Sequence, residues 1–319
     1  MRFFATTLLA GLMSAVCVSA YAQTPATPQV VRIGFQKSST LITVLKTQGK
    51  LEESLGKLGV KVQWAEFLSG PPLLEALNVG GIDMSADVAD TVPLFAQAAG
   101  AQLVYMAQET PSPTAQAILV AGDSPFKSVA DLKDKKVAVT KGTGGHFLLI
   151  ASLAKAGLTF KDITPVYLSP ADGRAAFERG SVDAWVTWDP FLSAGQIQAK
   201  ARILADGKNG VASYQRYYLV TNKFASSRPD VVALIFEQLR ETGKWVKANP
   251  KEAATLLKPI WGLDTAIIEQ ANGRRSYEVK AVQPTNLTEQ QGIADTFFKE
   301  GVLPKKIEAS KSEVWHPAS

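Results

Sequence analysis

Short apolar strands alternate with amphipathic helices from residue 31 to residue 221 of this 319-residue chain. This alternation is typical of parallel sheets that are covered by helices on both faces. The predicted strands are Val31–Phe35, Lys61–Phe67, Met84–Ala86, Leu103–Ala107, Gln116–Val120, Val137–Thr140, Pro165–Leu168, Ala184–Thr187, Arg202–Leu204 and Tyr217–Thr221. The predicted helices between them are Thr40–Leu58, Pro71–Val79, Val92–Ala98, Gly145–Ala156, Ala171–Arg179 and Pro190–Ala199. The pattern therefore predicts an α/β fold with doubly wound sheets.

The segment after Asn222 has a different pattern, because its predicted helices follow one another with no strand between them. These helices are Pro229–Ala248, Pro250–Leu257, Asp264–Asn272 and Thr288–Lys299. The chain is long enough for two lobes, since single hydrophobic cores stop growing at about 250–300 residues. A polar, turn-rich stretch after Val120 marks the entry to a second lobe. We expect lobe 1 to comprise residues 30–115 and 216–319, and lobe 2 to comprise residues 116–215.

Residues 1–22 have the pattern of a secretory signal peptide, with a basic start, a central apolar run and an Ala-Tyr-Ala cleavage site. The apolar run is shorter than the ~20 residues of a membrane-spanning helix, which argues against a membrane anchor. The one cysteine, Cys17, would be removed with this segment. Residues 23–29 are predicted to form a flexible, proline-containing spacer. We therefore expect an exported protein that resides in the periplasm.

The composition argues against several functional classes. The sequence has two histidines and one cysteine, so no metal site is predicted. The net charge of +5 is dispersed, without the basic blocks that bind nucleic acid. The glycine-rich segments lack a complete phosphate-binding or dinucleotide-binding motif, so no cofactor is expected. The carboxylates of Asp87, Asp90 and Asp189 remain available for acid–base chemistry, which leaves an enzyme as an alternative.

Two strand-to-helix junctions have the composition of an anion site. Small polar residues follow the first predicted strand, and Lys141-Gly142-Thr143-Gly144-Gly145-His146 follows another. The first N–H groups of a helix lack partners and carry partial positive charge, so two such ends facing one cleft would hold an anion. The Thr143 hydroxyl and the His146 ring would add donors. The predicted binding residues at these junctions are Gln36, Ser38, Thr143, Gly144, Gly145 and His146.

Five further residues are candidates for the same cleft. Gly70 and Pro71 begin a predicted helix whose N–H groups would point at the ligand. Asp87 follows a predicted strand, where it would either face the cleft or cap the next helix. Trp188 would form a wall against an apolar ligand tail or pack in the core. Arg274 would grip an anion with two parallel hydrogen bonds, or it would be solvated.

Several separated segments carry a resemblance to a known family. They are Phe35-Gln36-Lys37, the run from Gly70 to Gly80, the run from Phe95 to Gly100, the run from Ser128 to Lys133, and the run from Val182 to Pro190. Through them the chain resembles the aliphatic sulfonate-binding periplasmic proteins of ATP-driven (ABC) importers, close to the taurine- and nitrate-binding groups. The resemblance implies a type II periplasmic-binding fold, with two doubly wound lobes joined by two crossover strands and the solute in the cleft between them.

The resemblance also implies a small anionic solute such as a sulfonate, a separate membrane permease as partner, a monomer, and no enzymatic activity. The chain departs from the family pattern between Ser85 and Pro93, and its glycine-rich loop carries few hydroxyls. With Asp87 in the cleft, these changes would select a ligand with a cationic or hydroxyl group beside its acid. Taurine, nitrate or a heterocyclic precursor are alternative ligands on the same scaffold. A pyrimidine-forming enzyme of thiamine biosynthesis shares this fold, but it relies on a cysteine-rich motif that this chain lacks.

Overall fold

The structure is a computed structural model that describes residues 30–317, except for the side chain of Pro284. The predicted signal peptide (residues 1–22) and spacer (residues 23–29) lie outside these residues. The strands, in chain order, are β1 (Val30–Gln36), β2 (Lys61–Phe67), β3 (Met84–Ala89), β4 (Leu103–Glu109), β5 (Gln116–Val120), β6 (Lys136–Val139), β7 (Thr164–Tyr167), β8 (Ala184–Trp188), β9 (Arg202–Asp206), β10 (Arg216–Thr221), β11 (Val279–Lys280) and β12 (Glu313–Val314).

The α-helices begin directly after most of the strands. In chain order they are α1 (Thr40–Gln48), α2 (Lys50–Gly56), α3 (Gly70–Asn78), α4 (Thr91–Ala98), α5 (Gly144–Lys155), α6 (Pro170–Glu178), α7 (Phe191–Gln198), α8 (Asn222–Ser227), α9 (Pro229–Ala248), α10 (Pro250–Trp261), α11 (Thr265–Arg274) and α12 (Leu287–Lys299). In the described part of the chain, no helix is long and apolar enough to cross a membrane.

The strands form two separate sheets. Within each sheet, the first parallel strand lies between the second and the third, and an antiparallel strand lies between the third and the fourth. In the first sheet the order is β11-β4-β10-β3-β1-β2, and β12 pairs with the edge of β4. In the second sheet the order is β7-β6-β8-β5-β9. An interior strand runs antiparallel to both of its neighbours in each sheet: β10 in the first and β5 in the second. We name the elements built on the first sheet lobe 1 and those built on the second sheet lobe 2.

This arrangement is the type II periplasmic-binding fold that the resemblance implied. Each lobe is a mostly parallel sheet with helices on both faces, and β5 and β10 are the first strands after the chain crosses from one lobe to the other. Ligands of such sheets collect beyond the carboxyl ends of the parallel strands. The carboxyl ends of β1 and β3 in lobe 1 and of β6 and β8 in lobe 2 face one another across a narrow gap.

Separate hydrophobic cores hold the two lobes. The main core of lobe 1 places β1 residues such as Ile33 under α1 and α9, and the helices of the tail return to this lobe. In lobe 2, Val137 and Leu149 pack on one face of the sheet, and Trp185 and Leu192 pack on the other. A further cluster joins the lobes, because Leu94 (α4) and Phe297 (α12) of lobe 1 lie in it with Ile150 (α5) of lobe 2.

Three features differ from the sequence-based expectation. The predicted helix Thr40–Leu58 is two helices, because Gly49 adopts a left-handed conformation (φ 65°) between them. The expectation of a tail without strands is wrong, since β11 and β12 pair with β4 over two residues each. These strands are too short to show an alternating apolar pattern. Helix α8, which follows β10 directly, was not predicted.

Candidate functional site

A small cleft lies between the lobes, at the carboxyl ends of the parallel strands. Its cavity volume is about 10 Å³, the space of about one water molecule, so the lobes must move apart to admit a larger molecule. Lobe 1 and lobe 2 both contribute walls, and the segment that returns from lobe 2 to lobe 1 adds two residues, Tyr214 and Arg216. The lining residues are Gln36, Gly70, Ala89, Val92, Thr143, Gly144, Trp188, Tyr214 and Arg216. Those predicted from the sequence are Gln36, Gly70, Thr143, Gly144 and Trp188.

The N-terminus of α5 forms one wall of the cleft. Among the described residues, no acceptor takes a hydrogen bond from the backbone N–H of Gly144 or Gly145. These groups carry the partial positive charge of the helix end. A Cβ atom at Gly144 would lie 2.9 Å from the Tyr214 ring and 3.0 Å from Gln116 Oε1. Glycine is therefore required here for the close approach of the start of α5 to Tyr214 and Gln116.

Neither of the two side-chain donors expected from this loop is available to the cleft. The Thr143 hydroxyl donates to the carbonyl oxygen of Thr140 at 2.7 Å, so the side chain is not free to donate to a ligand. The His146 ring does not line the cleft, because it is fully buried; its Nδ1 accepts from Gly142 N at 3.2 Å, and its Nε2 has no partner among the described residues. Burial, followed by the charge of Lys141, lowers the pKa of His146 to about 4. The rings around it belong to Phe160, Tyr167 and Phe297.

Lobe 1 supplies an amide and a helix start, but fewer donors than expected. Gln36 Nε2 donates one hydrogen bond to the carbonyl of Asp87 at 3.2 Å, which leaves its second N–H for the cleft. Ser38 is buried behind the lining with its Oγ unpaired. Gly70 lines the cleft and Pro71 does not. Because Pro71 and the proline after it have no N–H, the first turn of α3 offers little beyond the Gly70 amide.

Arg216, the first residue of β10, is the cationic side chain of the cleft lining. Its Nε donates to Asp87 Oδ2 at 2.6 Å, its Nη2 to the Asp87 carbonyl at 2.8 Å, and its Nη1 to Tyr214 Oη at 2.7 Å. A guanidinium has five N–H groups, so two remain for a ligand. The Tyr214 hydroxyl accepts from Arg216 and therefore keeps its own hydrogen to donate.

Asp87 does not face the cleft as expected. It is fully buried on β3 and receives a second guanidinium, since Arg275 Nη2 donates to its Oδ2 at 3.0 Å. Arg275 also pairs with Glu109 at 2.6 Å, and Tyr218 donates to that carboxylate at 2.8 Å. Two guanidinium groups and two carboxylates thus balance in charge. Burial alone would lower the pKa of Arg216, but the charges of Asp87, Tyr214 and Glu109 together outweigh it and leave this pKa above its ordinary value.

Arg274 is also placed differently from the expectation. Its guanidinium lies outside the cleft lining and bonds to residues of lobe 2. Nη1 is 3.0 Å from each oxygen of Asp189 and 2.7 Å from Ser193 Oγ, and Nη2 donates to Gln196. The neighbouring Trp188 does line the cleft, and its ring contacts Phe191 edge-on.

From the sequence, Tyr214 is only a weak candidate, near the crossover that returns to lobe 1, and Arg216 and the Gln116 amide beside Gly144 were missed. A topological signal was available for the two that were missed. Gln116 and Arg216 each begin the antiparallel strand that follows a crossing between lobes, so each starts at the cleft. Tyr214 has φ 54°, an unusual conformation for a bulky residue that no local sequence motif announces.

The cleft combines donors with apolar walls and carries no carboxylate among its lining residues. Arg216, the Gln36 amide and the Gly144 N–H converge as donors, while Val92, Trp188 and Ala89 are apolar. In the residues that the structure describes, no group of three or more His, Cys, Asp and Glu side chains is placed to hold a metal ion. The arrangement suits an anionic group attached to a short apolar body.

Known proteins are similar to this chain in sequence and fold over most of its length. Residues 58–253 match the family described as NMT1/THI5 like. The "Putative aliphatic sulfonates-binding protein" of Escherichia coli (strain K12) is 39% identical over 318 residues, which are 99% of this chain and 98% of that protein. A protein of the same name from Bacillus subtilis (strain 168) is 34% identical over 278 residues, 87% of this chain and 83% of that one.

Among solved structures, the alkanesulfonate-binding protein SsuA from Xanthomonas axonopodis pv. citri, bound to MOPS, superposes with a TM-score of 0.85. The two sequences are 38% identical, and the match covers 91% of this chain and 99% of that one. These relatives are named as binding proteins. With this identity and coverage, the chain belongs to the NMT1/THI5-like family, in its group of aliphatic sulfonates-binding proteins.

Proposed function

We propose that this protein is the solute-binding component of an ATP-driven importer and that it holds an aliphatic sulfonate, or a related small organic monoanion, in the cleft between its lobes. The observation that carries the proposal is Arg216, a buried cation with free N–H groups in a cleft that has no lining carboxylate. The names of the relatives support the same ligand class, and MOPS, which the Xanthomonas protein binds, is itself a sulfonate.

The binding mode follows from the donors and the walls. The sulfonate oxygens would accept from Arg216, from the Gln36 amide and from the Gly144 N–H at the start of α5. Charge-assisted hydrogen bonds of this kind are short and strong. The alkyl part of the ligand would lie against Trp188 and Val92, which gain by losing contact with water. No bond of the ligand is broken in this mode, so the function is binding alone.

The same geometry favours a plain sulfonate over the alternatives on this scaffold. Taurine carries an ammonium group, and the cleft offers no lining carboxylate to pair with it. Asp87, which was expected to do so, is already bonded to Arg216 and Arg275. Nitrate has no apolar body, so Trp188 and Val92 would gain no contact from it.

Delivery to a permease would follow closure of the lobes around the ligand, which joins the two surfaces beside the cleft into one. The predicted signal peptide would place the protein in the periplasm, where a membrane permease and its ATPase, as separate chains, would receive the solute. We expect the protein to act as a monomer, because the cleft is complete within one chain.

Calorimetric titration of the purified protein tests the proposal. Butanesulfonate and MOPS are expected to bind at micromolar or lower concentration, and taurine and nitrate at least about tenfold more weakly, since one lost charge pair or apolar contact is worth about 1.4 kcal/mol or more. Tight binding of taurine or nitrate, with no binding of butanesulfonate, would overturn the proposed ligand class. Turnover of any of these compounds, followed by mass spectrometry, would overturn the assignment as a binding protein.

A further inference from the structure

Arg274 connects the two lobes by bonding to three side chains of lobe 2. It is the last residue of α11, which packs against α10 and α9 of lobe 1. Its partners Asp189, Ser193 and Gln196 all belong to the start and one face of α7 in lobe 2. The spacing of these partners is i, i+4 and i+7, so they form one stripe along the helix.

A second residue of α11 reinforces the same contact. Gln270 lies one turn before Arg274 and donates from Nε2 to Gln196 Oε1 at 2.9 Å. The side chain of Asp189 is oriented from within lobe 2, because its Oδ1 accepts from the backbone N–H of Ser193 at 3.0 Å and from the Ser193 hydroxyl at 2.6 Å. The Asp189 and Ser193 side chains of the stripe are therefore held in position by lobe 2 itself.

The Arg274–Asp189 contact is buried, and each of its two residues is next in sequence to a residue in or behind the cleft wall. The Arg274 side chain is 17% exposed and that of Asp189 is 4% exposed. Asp189 follows Trp188, which lines the cleft, and Arg274 precedes Arg275, which shares Asp87 with Arg216. Separation of the lobes would pull α11 away from α7 and break the Arg274–Asp189 ion pair. It would also move Trp188 away from Arg275.

We propose that Arg274 is a closure latch: it bonds to α7 only when the lobes are closed, and it sets the fraction of closed molecules without touching the ligand. This proposal rests on the proposed function, since it assigns a role in regulating the same cleft. If ligand binds only to the closed form, the apparent dissociation constant is the intrinsic one divided by the closed fraction. Loss of the latch therefore weakens every ligand by the same factor.

The uniform factor separates a latch from a ligand contact. In Arg274→Gln, the dissociation constants for ethanesulfonate, butanesulfonate and MOPS are each expected to rise about tenfold, the loss typical of one charged hydrogen bond. A residue that touches the ligand would instead change the ratios among them. Gln196→Ala is a second variant and is expected to act in the same direction. Arg240→Gln is the matched control, since Arg240 pairs with Glu237 on the surface of α9.

A distance measurement tests the latch without any ligand. Spin labels at Lys57→Cys in lobe 1 and Lys155→Cys in lobe 2, both exposed positions, report the separation of the lobes by pulsed electron resonance. Arg274→Gln is expected to shift the ligand-free distribution toward longer distances, and Arg240→Gln to leave it unchanged. An unchanged distribution, or dissociation constants that change by different factors, would overturn the latch. If the wild type binds none of the sulfonates, the proposed function fails and the ligand-free distances still decide the latch.

Discussion

Replacing Arg216 by glutamine separates the binding role of this side chain from its role in the fold. Arg216 and Arg275 are equally buried, with 2% and 4% of the side chain exposed, and both donate to Asp87 Oδ2. Only Arg216 lines the cleft. Arg275→Gln is therefore a matched control that removes the same charge from the same carboxylate without removing a cleft donor.

The expected loss of stability is similar in the two variants. Each substitution leaves two buried carboxylates with one guanidinium, and breaking a buried ion pair in this way costs about 3–5 kcal/mol. The total stability of a folded protein is commonly about 5–15 kcal/mol. Both variants should therefore stay folded at low temperature, with reduced free energies of unfolding in urea.

The expected loss of affinity differs. Arg216→Gln removes charge-assisted hydrogen bonds to the anion that are worth about 1.5–3 kcal/mol, so the dissociation constant for butanesulfonate should rise by about 10- to 150-fold. Arg275→Gln should change it by less than about threefold, provided that the Asp87 and Arg216 side chains keep their places. Calorimetric titration at 10 °C, with far-ultraviolet circular dichroism to confirm folding, measures both.

Equal dissociation constants for butanesulfonate in Arg216→Gln and Arg275→Gln would refute this reasoning. If the two folded variants lose the same affinity for butanesulfonate, Arg216 contributes through the charge network and not as a ligand contact. If neither variant loses affinity, the anion does not bind beside Arg216, and the proposed location of the head group is wrong.

Three further predictions follow from the cleft and its surroundings. Gly144→Ala should weaken butanesulfonate binding about tenfold or more in calorimetry, because its Cβ would meet the Tyr214 ring at 2.9 Å, whereas Gly292→Ala, which meets nothing within 4 Å, should not. Trp188→Phe should reduce the affinity gained per added methylene along an alkanesulfonate series, a gain that full burial sets at about 0.8 kcal/mol. The pKa of His146 is lowered to about 4 from an ordinary 6.5, so the unfolded state binds more protons than the folded state between these pH values. The stability that the neutral ring contributes is therefore fully present above pH 6.5 and is lost as the pH falls toward 4. Urea unfolding of the wild type should lose about 3 kcal/mol relative to His146→Phe over this range, and a pH-independent difference would refute the buried, neutral state of the ring.

The pattern of the sequence was sufficient for most of the fold because strand and helix periods are local properties. The strands Lys61–Phe67 and Gln116–Val120 and the helix Pro229–Ala248 have the predicted bounds. The continuous helix predicted from Thr40 to Leu58 is instead two helices, because Gly49, in the left-handed region, divides it. The family resemblance supplied the pairing of the lobes, which no local pattern contains.

The site was harder to predict, because contacts between segments far apart in sequence determine where each side chain lies. Arg274 and Arg275 are adjacent, yet one bonds to lobe 2 and the other to the interior of lobe 1. His146 was placed at a helix start that faces the cleft, but the helix turns its ring away, among aromatic side chains of both lobes. Asp87 was recognised as unusual, and only the three-dimensional contact with Arg216 shows that its charge is neutralised inside the protein.

The position of β10 sets an order in which the protein is able to fold. All strands of the second sheet lie between residues 116 and 206, so this lobe can assemble as soon as that stretch is available. The first sheet begins earlier in the chain, but β10 stands between β3 and β4 and joins them. Until residues 216–221 arrive, β4 has no bond to the strands made before it. A chain synthesised from its N-terminus can thus complete the second sheet first, while β4 waits for β10 before it joins the strands made earlier.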